Sequence, residues 1–266
     1  MEISGATRIY ALLGDPVAHS LSPVMQNAAM RVLGLDAVYV ALRCDAGHLG
    51  ALMEALAAQG GGGNVTIPHK EAAASVLARH GGAAGSVCNT FWGEEGRLCG
   101  TETDSAGILA ALERLDAPRR SWCLVGTGGS ARAALRAARH VGARVAVRSR
   151  GSERAEAFGR SALEAGLELI DASACDVVIN CTPLGLSDKD PPPIARADVP
   201  QARVALDLVY RRGETAWVRA MRDAGVQAAD GRDVLVEQGA LAFERWFPGR
   251  AAPREVMRAA VRFALG

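Results

Sequence analysis

Strand-like and helix-like segments alternate along almost the whole of this 266-residue chain, which confines it to folds in which parallel strands are joined by covering helices. Ile9 to Leu13 has the apolar content of a buried strand, and Ser22-Pro23 after the next loop offers an N-cap with proline at the first helical position. That helix carries Met25, Ala28, Ala29, Val32 and Leu33 and stops at Gly34. Val38 to Leu42 predicts a second strand and His48 to Gln59 a second helix. Asn64 to Ile67 predicts a third strand, which follows the glycines Gly60 to Gly63, ends at Pro68 and leads into a helix. Cys88 to Trp92 and Arg97 to Gly100 flank a turn at Gly93 to Gly96, which completes one α/β unit.

A second unit starts near Asp104 with a helical stretch, Ile108 to Leu115, and a strand, Trp122 to Val125. The alternation continues through helix Ala131 to His140, strand Val145 to Arg148, helix Ser152 to Ala165, and strands Val177 to Asn180 and Val204 to Leu208. Asp188 to Pro193, with three successive prolines, predicts a surface loop with Lys189 facing solvent. After Asp230-Gly231, the spacing of Val234, Leu235, Gln238, Leu241, Ala242 and Trp246 predicts one helix, and Arg254 to Leu265 another. With no strand left for them to follow, these helices are expected to pack back on the first unit.

Composition narrows the function classes. A net charge of +1 supplies no basic field, which argues against nucleic acid as the main partner. No run approaches the roughly 18 apolar residues of a membrane span, and Met1-Glu2-Ile3-Ser4-Gly5 has no basic-then-apolar signal pattern, so no membrane partner and a cytoplasmic location are expected. The six cysteines are scattered, with no C-x-x-C pair and no His/Cys cluster at ligand spacing, so neither a metal nor a disulfide framework is expected.

Gly126-x-Gly128-x-x-Ala131 stands directly after an apolar strand and opens a helix, the setting that a dinucleotide fingerprint requires. Gly126 permits the tight turn, Gly128 lets a pyrophosphate approach the backbone, and the small Ala131 allows close helix packing. An NAD site usually places Asp or Glu at the end of the next strand, about 20 residues on. Here that strand ends Val147-Arg148-Ser149-Arg150 with no acid before Glu153, so NADP is the expected cofactor. The alternative is that Arg148 and Arg150 are solvated strand-end charges in an arginine-rich chain.

Lysine is nearly absent: of the 30 Lys+Arg residues only Lys70 and Lys189 are lysine. Arginine cannot lose its proton near neutral pH, whereas a partly desolvated lysine serves as a general acid or base. Lys70 ends the run Asn64-Val65-Thr66-Ile67-Pro68-His69-Lys70, where polar groups converge at a strand-to-helix turn. Ser20, Ser22, Asn64, Thr66, Asn89 and Asp104 also stand at expected strand ends, an inventory suited to a polyhydroxylated small molecule.

With these motifs in order, the chain resembles the shikimate dehydrogenase family nearly end to end. The matching runs are Gly14 to Pro23, Asn64 to Lys70, Asn89-Thr90, Thr103-Asp104, Gly126 to Ala131, Asn180 to Gly185, Asp207 to Tyr210 and Gln238 to Phe243. The resemblance implies two domains. Residues 1–103 with 234–266 form an α/β substrate-binding and catalytic domain completed by the C-terminal helices. Residues 104–233 form a Rossmann-type, doubly wound NADP-binding domain. It implies that Lys70 and Asp104 are the catalytic pair, that Ser20, Ser22 and Tyr210 take the substrate carboxylate, and that Asn64, Thr66, Asn89 and Gln238 take ring hydroxyls. It implies cofactor contacts from Gly126, Thr127, Gly128, Gly129, Ser130 and Ala131, from Ser149 and Arg150, and from Thr182, Leu208 and Gly231. The implied reaction is NADPH-dependent, reversible reduction of 3-dehydroshikimate to shikimate by a monomer or homodimer without metal. Quinate or an amino analogue as substrate, or a non-catalytic ligand sensor, are the alternatives. The chain departs from the family pattern at Gln26, where His is usual, at Glu102 and Ser105 around Asp104, and at Ser149 and Gly151 around Arg150.

Overall fold

The computed structural model describes residues 3–81 and 86–266; Met1 and Glu2 of the N-terminal pattern lie outside them. The chain divides into two compact units, Met1–Thr103 with Val236–Ala264, and Asp104–Leu235 with Leu265–Gly266.

In the first unit β1 (Arg8–Gly14) leads through α1 (Ser22–Val32) to β2 (Ala37–Arg43), then through α2 (Ala46–Ala58) to β3 (Gly62–Val65). α3 (Lys70–Arg79), β4 (Thr90–Glu94) and β5 (Arg97–Thr101) follow. The sheet order is β2-β1-β3-β4-β5. β2, β1 and β3 pair parallel, but β4 and β5 pair antiparallel, so the sheet is mixed where alternation alone predicts parallel pairing. The short turn between β4 and β5 accounts for that pair, since a tight hairpin joins only antiparallel strands.

Two local expectations are corrected. β3 covers Gly62–Val65 rather than Asn64 to Ile67, so two of the glycines belong to the strand. A Cβ on Gly63 would stand 2.0 Å from the Ala11 carbonyl oxygen, and one on Gly62 2.3 Å from that of Phe91. Only glycine lets the central strand lie so close to its neighbours. Ser22 does not cap α1 but is its first residue; Leu21 is the cap, with no side-chain cap hydrogen bond. The helix does stop at Gly34, which takes φ +62.

The second unit runs α4 (Asp104–Arg114), β6 (Ser121–Val125), α5 (Gly129–Val141), β7 (Arg144–Arg148), α6 (Ser152–Glu164), β8 (Val177–Asn180), β9 (Val204–Asp207), α7 (Ala216–Asp223) and β10 (Gln227–Ala229). Its sheet is parallel throughout, in the order β10-β9-β8-β6-β7. The strand order reverses between β6 and β8, where such folds open a crevice at the strand C-termini. Ala131, Ala134, Ala137 and Ala138 give α5 a buried face with almost no side-chain bulk, so its backbone packs close to the strands. α7 and β10 go beyond the sequence expectations. α7 has only eight residues, too few for its buried Trp217, Val218 and Met221 to establish a period among arginines, and β10 has three residues without β-branching.

α8 (Arg232–Trp246) and α9 (Arg254–Leu265) end the chain, and from Val236 to Ala264 they belong to the first unit. The sheet face opposite α2 and α3 receives them. Trp246 packs its ring 5.0 Å from that of Tyr10 and 5.7 Å from that of Tyr39, and its indole N–H donates to the Phe91 carbonyl at 3.1 Å. Among the described residues no helix is long and apolar enough to cross a membrane.

Candidate active site

In the first unit the polar residues gather at the C-terminal ends of β1 and β3 and the start of β4. The loop after β1 brings Ser20 and Ser22 together: the Ser22 amide donates to the Ser20 hydroxyl oxygen at 3.2 Å. Because Ser22 does not cap its helix, its hydroxyl stands at the positive end of α1 without a capping task. Two hydroxyls at a helix N-terminus suit a carboxylate. Thr66 follows β3 and leans on the same loop, since a Cβ on Gly14 would lie 2.4 Å from its methyl group. The Thr66 amide donates to the Leu13 carbonyl at 2.8 Å, which holds the residue at the strand end.

Lys70 is the first residue of α3 and is half-buried. Its own carbonyl accepts from the Cys88 amide at 2.9 Å, and the buried ring of His69 makes a 2.8 Å hydrogen bond through Nε2 with the Cys44 carbonyl. The start of α3 is thereby tied to the loop after β2 on one side and to the approach to β4 on the other. His69 received no role from the sequence, although its place beside Lys70 was the available signal.

Asn64 and Asn89 are brought together, both buried. Asn64 Nδ2 donates to the Asn89 carbonyl at 3.0 Å and to the Thr90 hydroxyl at 3.0 Å, while Asn64 Oδ1 accepts from the Tyr39 hydroxyl at 2.8 Å. Both amide hydrogens are committed inside the protein, so Asn64 meets any ligand as an acceptor only. Asn89 Oδ1 accepts from the Thr103 amide at 2.8 Å, and its Nδ2 donates to the Thr103 hydroxyl at 3.1 Å. Gln238 is half-buried in the second turn of α8. The next residue, Gly239, has its carbonyl held by Gln26 Nε2 at 2.9 Å, so the position at which the chain lacks the usual His ties α8 to α1.

The remaining predicted residues lie in the second unit. Asp104 is the first residue of α4 and half-buried, with Thr103 before it in the first unit. Tyr210, half-buried, follows the end of β9. Its neighbour Val209 donates its amide to Asp207 Oδ1 at 3.1 Å. Asp207 is fully buried and also accepts from Asn180 Nδ2 at 2.8 Å and from the Thr215 hydroxyl at 2.7 Å. Burial raises the pKa of this carboxyl in opposition to those three donors.

The dinucleotide turn has the form its residues require. Gly126 takes φ +114, and its amide donates to the Arg148 carbonyl at 2.7 Å. A Cβ there would stand 3.1 Å from the Thr182 methyl group at the end of β8. Gly128 is the extended cap of α5, which has no side-chain cap, and a Cβ on Gly128 or Gly129 would meet nothing within 4 Å. The first turn of α5 therefore offers uncovered backbone at a helix N-terminus, a fit to a pyrophosphate. Thr127 and Ser130 are half-buried beside these glycines, and Ala131 is fully buried. Thr182 donates its hydroxyl to Asn180 Oδ1 at 2.7 Å; Leu208 donates its amide to the Asn180 carbonyl at 3.0 Å. Gly231 lies against Leu208, whose carbonyl oxygen would be 2.4 Å from an added Cβ. Gly126, Thr182, Leu208 and Gly231 are thus joined around the ends of β6, β8 and β9.

The two arginines after β7 differ. Arg148 donates to Asp171 at 3.2 Å, and the hydroxyl and amide of Ser173 together with Arg148 lower the Asp171 carboxyl to about 2, so that partner is ionised at neutral pH. Arg150 is exposed and has no ion-pair partner among the described residues; Ser149 before it is half-buried. Arg154, absent from the sequence expectations, is exposed in the first turn of α6, with its Cγ and Cδ 3.9 Å from the place of a Gly151 Cβ. α6 has no side-chain cap, so Arg150 and Arg154 flank a bare helix N-terminus. The signal for Arg154 was a second arginine in the first turn of the helix that follows the strand end.

Residues 12–90 match the family described as shikimate dehydrogenase substrate binding domain, and residues 231–262 match the shikimate 5'-dehydrogenase C-terminal domain. A curated relative from Methanothrix thermoacetophila, named shikimate dehydrogenase (NADP(+)), is 41% identical across 97% of this chain and 98% of its own. One from Methanocella arvoryzae with the same name is 35% identical over 97% of this chain and 99% of its own. Among solved structures, the shikimate 5-dehydrogenase of Thermus thermophilus in complex with NADP(H) and shikimate superposes with a TM-score of 0.83 at 34% identity, covering 96% of this chain and 99% of that one. A shikimate dehydrogenase in complex with NADP+ gives a TM-score of 0.89 at 28% identity, covering 100% and 98%. With relatives this similar over nearly its whole length, the chain belongs to the shikimate dehydrogenase family.

Proposed function

We propose that this protein catalyses the reversible, NADPH-dependent reduction of 3-dehydroshikimate to shikimate, on the route to chorismate and the aromatic amino acids. The observation that carries the reading is the end-to-end likeness to curated relatives named shikimate dehydrogenase (NADP(+)). When bound, NADPH supplies the hydride that reduces the C3 ketone. Lys70 acts at the ketone oxygen. Its ammonium stabilises the developing alkoxide and gives it a proton; in the reverse direction the amine takes the proton back. Asp104 is the second residue of the catalytic pair in this reading. Ser20 and Ser22, with the N-terminus of α1 and the Tyr210 hydroxyl, take the substrate carboxylate. Thr66, Asn89 and Gln238 take the ring hydroxyls, and Asn64 contributes one acceptor oxygen. Residues 1–103 with 234–266 serve the substrate in this reading, and residues 104–233 the cofactor. The enzyme works in the cytoplasm as a monomer or homodimer.

Crossing shikimate and quinate with NADP and NAD, while following the absorbance of the reduced nicotinamide, tests the assignment. Shikimate with NADP is expected to give the highest kcat/KM. A protein that binds shikimate but reduces neither cofactor with either substrate would be a sensor, and the proposal would fail.

For the cofactor, Arg150 and Arg154 are proposed to hold the 2'-phosphate together with the first amides of α6, while Arg148 stays with Asp171. Arg150→Ala is expected to raise the KM for NADP roughly tenfold, the scale of one charge-assisted hydrogen bond, and to leave that for NAD within about twofold. Arg154→Ala is expected to act in the same direction. Equal effects on both cofactors would remove these arginines from phosphate recognition.

A further inference from the structure

Tyr39 carries a buried polar group to which the proposed chemistry gives no task. It sits on β2, at the edge of the sheet, and is 1% exposed. Its ring packs on Trp246 and its hydroxyl donates to Asn64 Oδ1 at 2.8 Å. Burial raises the pKa of the phenol well above its ordinary value, so the group remains a donor across the working pH range. The direction of the bond is set by its other end. Asn64 Nδ2 faces the Asn89 carbonyl, which only accepts, so Oδ1 must face Tyr39.

From Asn64 the hydrogen bonds continue without a gap. Asn64 Nδ2 reaches the Thr90 hydroxyl, which donates to Asn89 Oδ1 at 3.2 Å. The same Oδ1 accepts the Thr103 amide at 2.8 Å, and the two threonine hydroxyls lie 3.3 Å apart. Tyr39, Asn64, Asn89, Thr90 and Thr103 are all buried. The chain of bonds thus begins at an edge strand and ends on the backbone amide of the residue before Asp104. An apolar side chain at position 39 would fill the same space, so a hydroxyl in this place serves orientation more than packing.

We propose that Tyr39 is a positioning residue for the substrate side of the reaction: its hydroxyl fixes the Asn64 amide and, through Thr90 and Asn89, the backbone that leads into Asp104. The proposal rests on the reading of the chain as a shikimate dehydrogenase, and its test keeps the two apart. The unaltered enzyme is first assayed with shikimate and NADP; absence of turnover there sinks that reading before any variant is made. In an active enzyme, Tyr39→Phe removes one oxygen and leaves the ring against Trp246. It is expected to lower kcat/KM for shikimate about tenfold, the scale of one buried hydrogen bond with its acceptor left unmet. The dissociation constant of NADP, measured by fluorescence titration without shikimate, is expected to change less than about twofold, since the residue lies in the other unit. A residue with a purely structural role would lower the melting temperature and leave kcat/KM for shikimate unchanged well below it. That outcome, or equal losses for substrate and cofactor, overturns the proposal.

Thr90→Val cuts the same chain at its middle link and covers the case in which Tyr39→Phe does not fold. It is expected to show the same selective loss. The double variant is expected to lose less than the product of the two single losses, because the second cut acts on a chain already broken. Fully multiplicative losses, or a Thr90→Val enzyme with ordinary kcat/KM for shikimate, would equally refute the link.

Discussion

Lys70→Ala is expected to lower kcat by at least about a hundredfold, the lower range of general acid-base contributions, with shikimate affinity comparatively intact. Lys70 heads α3 at a strand-to-helix turn whose backbone is held at both sides. The Cys88 amide bonds its carbonyl, and His69 anchors the turn to Cys44, so the alanine variant keeps the scaffold. Lys70→Arg separates the two tasks assigned to the ammonium. Arginine retains positive charge for the alkoxide but does not give up a proton near neutral pH. If charge alone mattered, the arginine variant would recover most of the lost rate; the proton-transfer role predicts that it recovers little. Steady-state kinetics with shikimate and NADP, together with direct titration of shikimate, decide the matter. A near-normal kcat in Lys70→Ala would remove Lys70 from the chemistry.

The largest stability effect is expected at Glu237, the residue before Gln238. Its two carboxylate oxygens are shared between two arginines of α9: Arg258 bonds Oε1, and Arg254 bonds Oε2 at 2.9 Å. Arg258 is 8% exposed at its side chain and Glu237 9%, so this is an ion pair largely removed from water. Arg254 also reaches Glu244 at 2.7 Å, and Arg258 reaches the exposed Glu255 at 2.6 Å. Glu237→Ala takes the buried carboxylate away from the buried Arg258 guanidinium, and breaking a buried pair from one side costs about 3–5 kcal/mol. Arg258→Met removes the charge as well and is expected to cost less. Denaturant or thermal unfolding of the first unit measures both. Similar small losses in the two variants would mean that the pair is solvated and adds little. Since Glu237 holds α8 to α9 beside Gln238, the folded fraction of Glu237→Ala is also expected to show a higher KM for shikimate.

How much of this was legible beforehand varies with the range of the interactions involved. The strand, turn and helix around Gly126 could be read almost residue by residue, because a strand, a glycine turn and a small-residue helix are local patterns that each need their residue types, whereas α7 and β10 of the same unit are too short to show a period. The strand boundaries at Gly62–Val65 could not, because a glycine run reads as a loop until the neighbouring carbonyls of Ala11 and Phe91 are in place. Asn64 was legible as a polar residue at a strand end. That its donors are consumed by Asn89 and Thr90, and one lone pair of its oxygen by Tyr39, depends on strands distant in sequence. Arg148 and Arg150 were equivalent as letters, and only the reach of Asp171 to Arg148 distinguishes them.

The sequence by itself determined the alternation that makes two α/β units, the phosphate-binding turn, the rare lysine and the family. These follow from residue type and short spacing, since backbone conformation and the chemistry of a side chain are local properties. The tertiary structure alone decided which polar atoms remain for a ligand and which hold the scaffold. A hydrogen-bond donor or acceptor can be used only as often as its hydrogens and lone pairs allow, and the partners that use them arrive from other strands and helices.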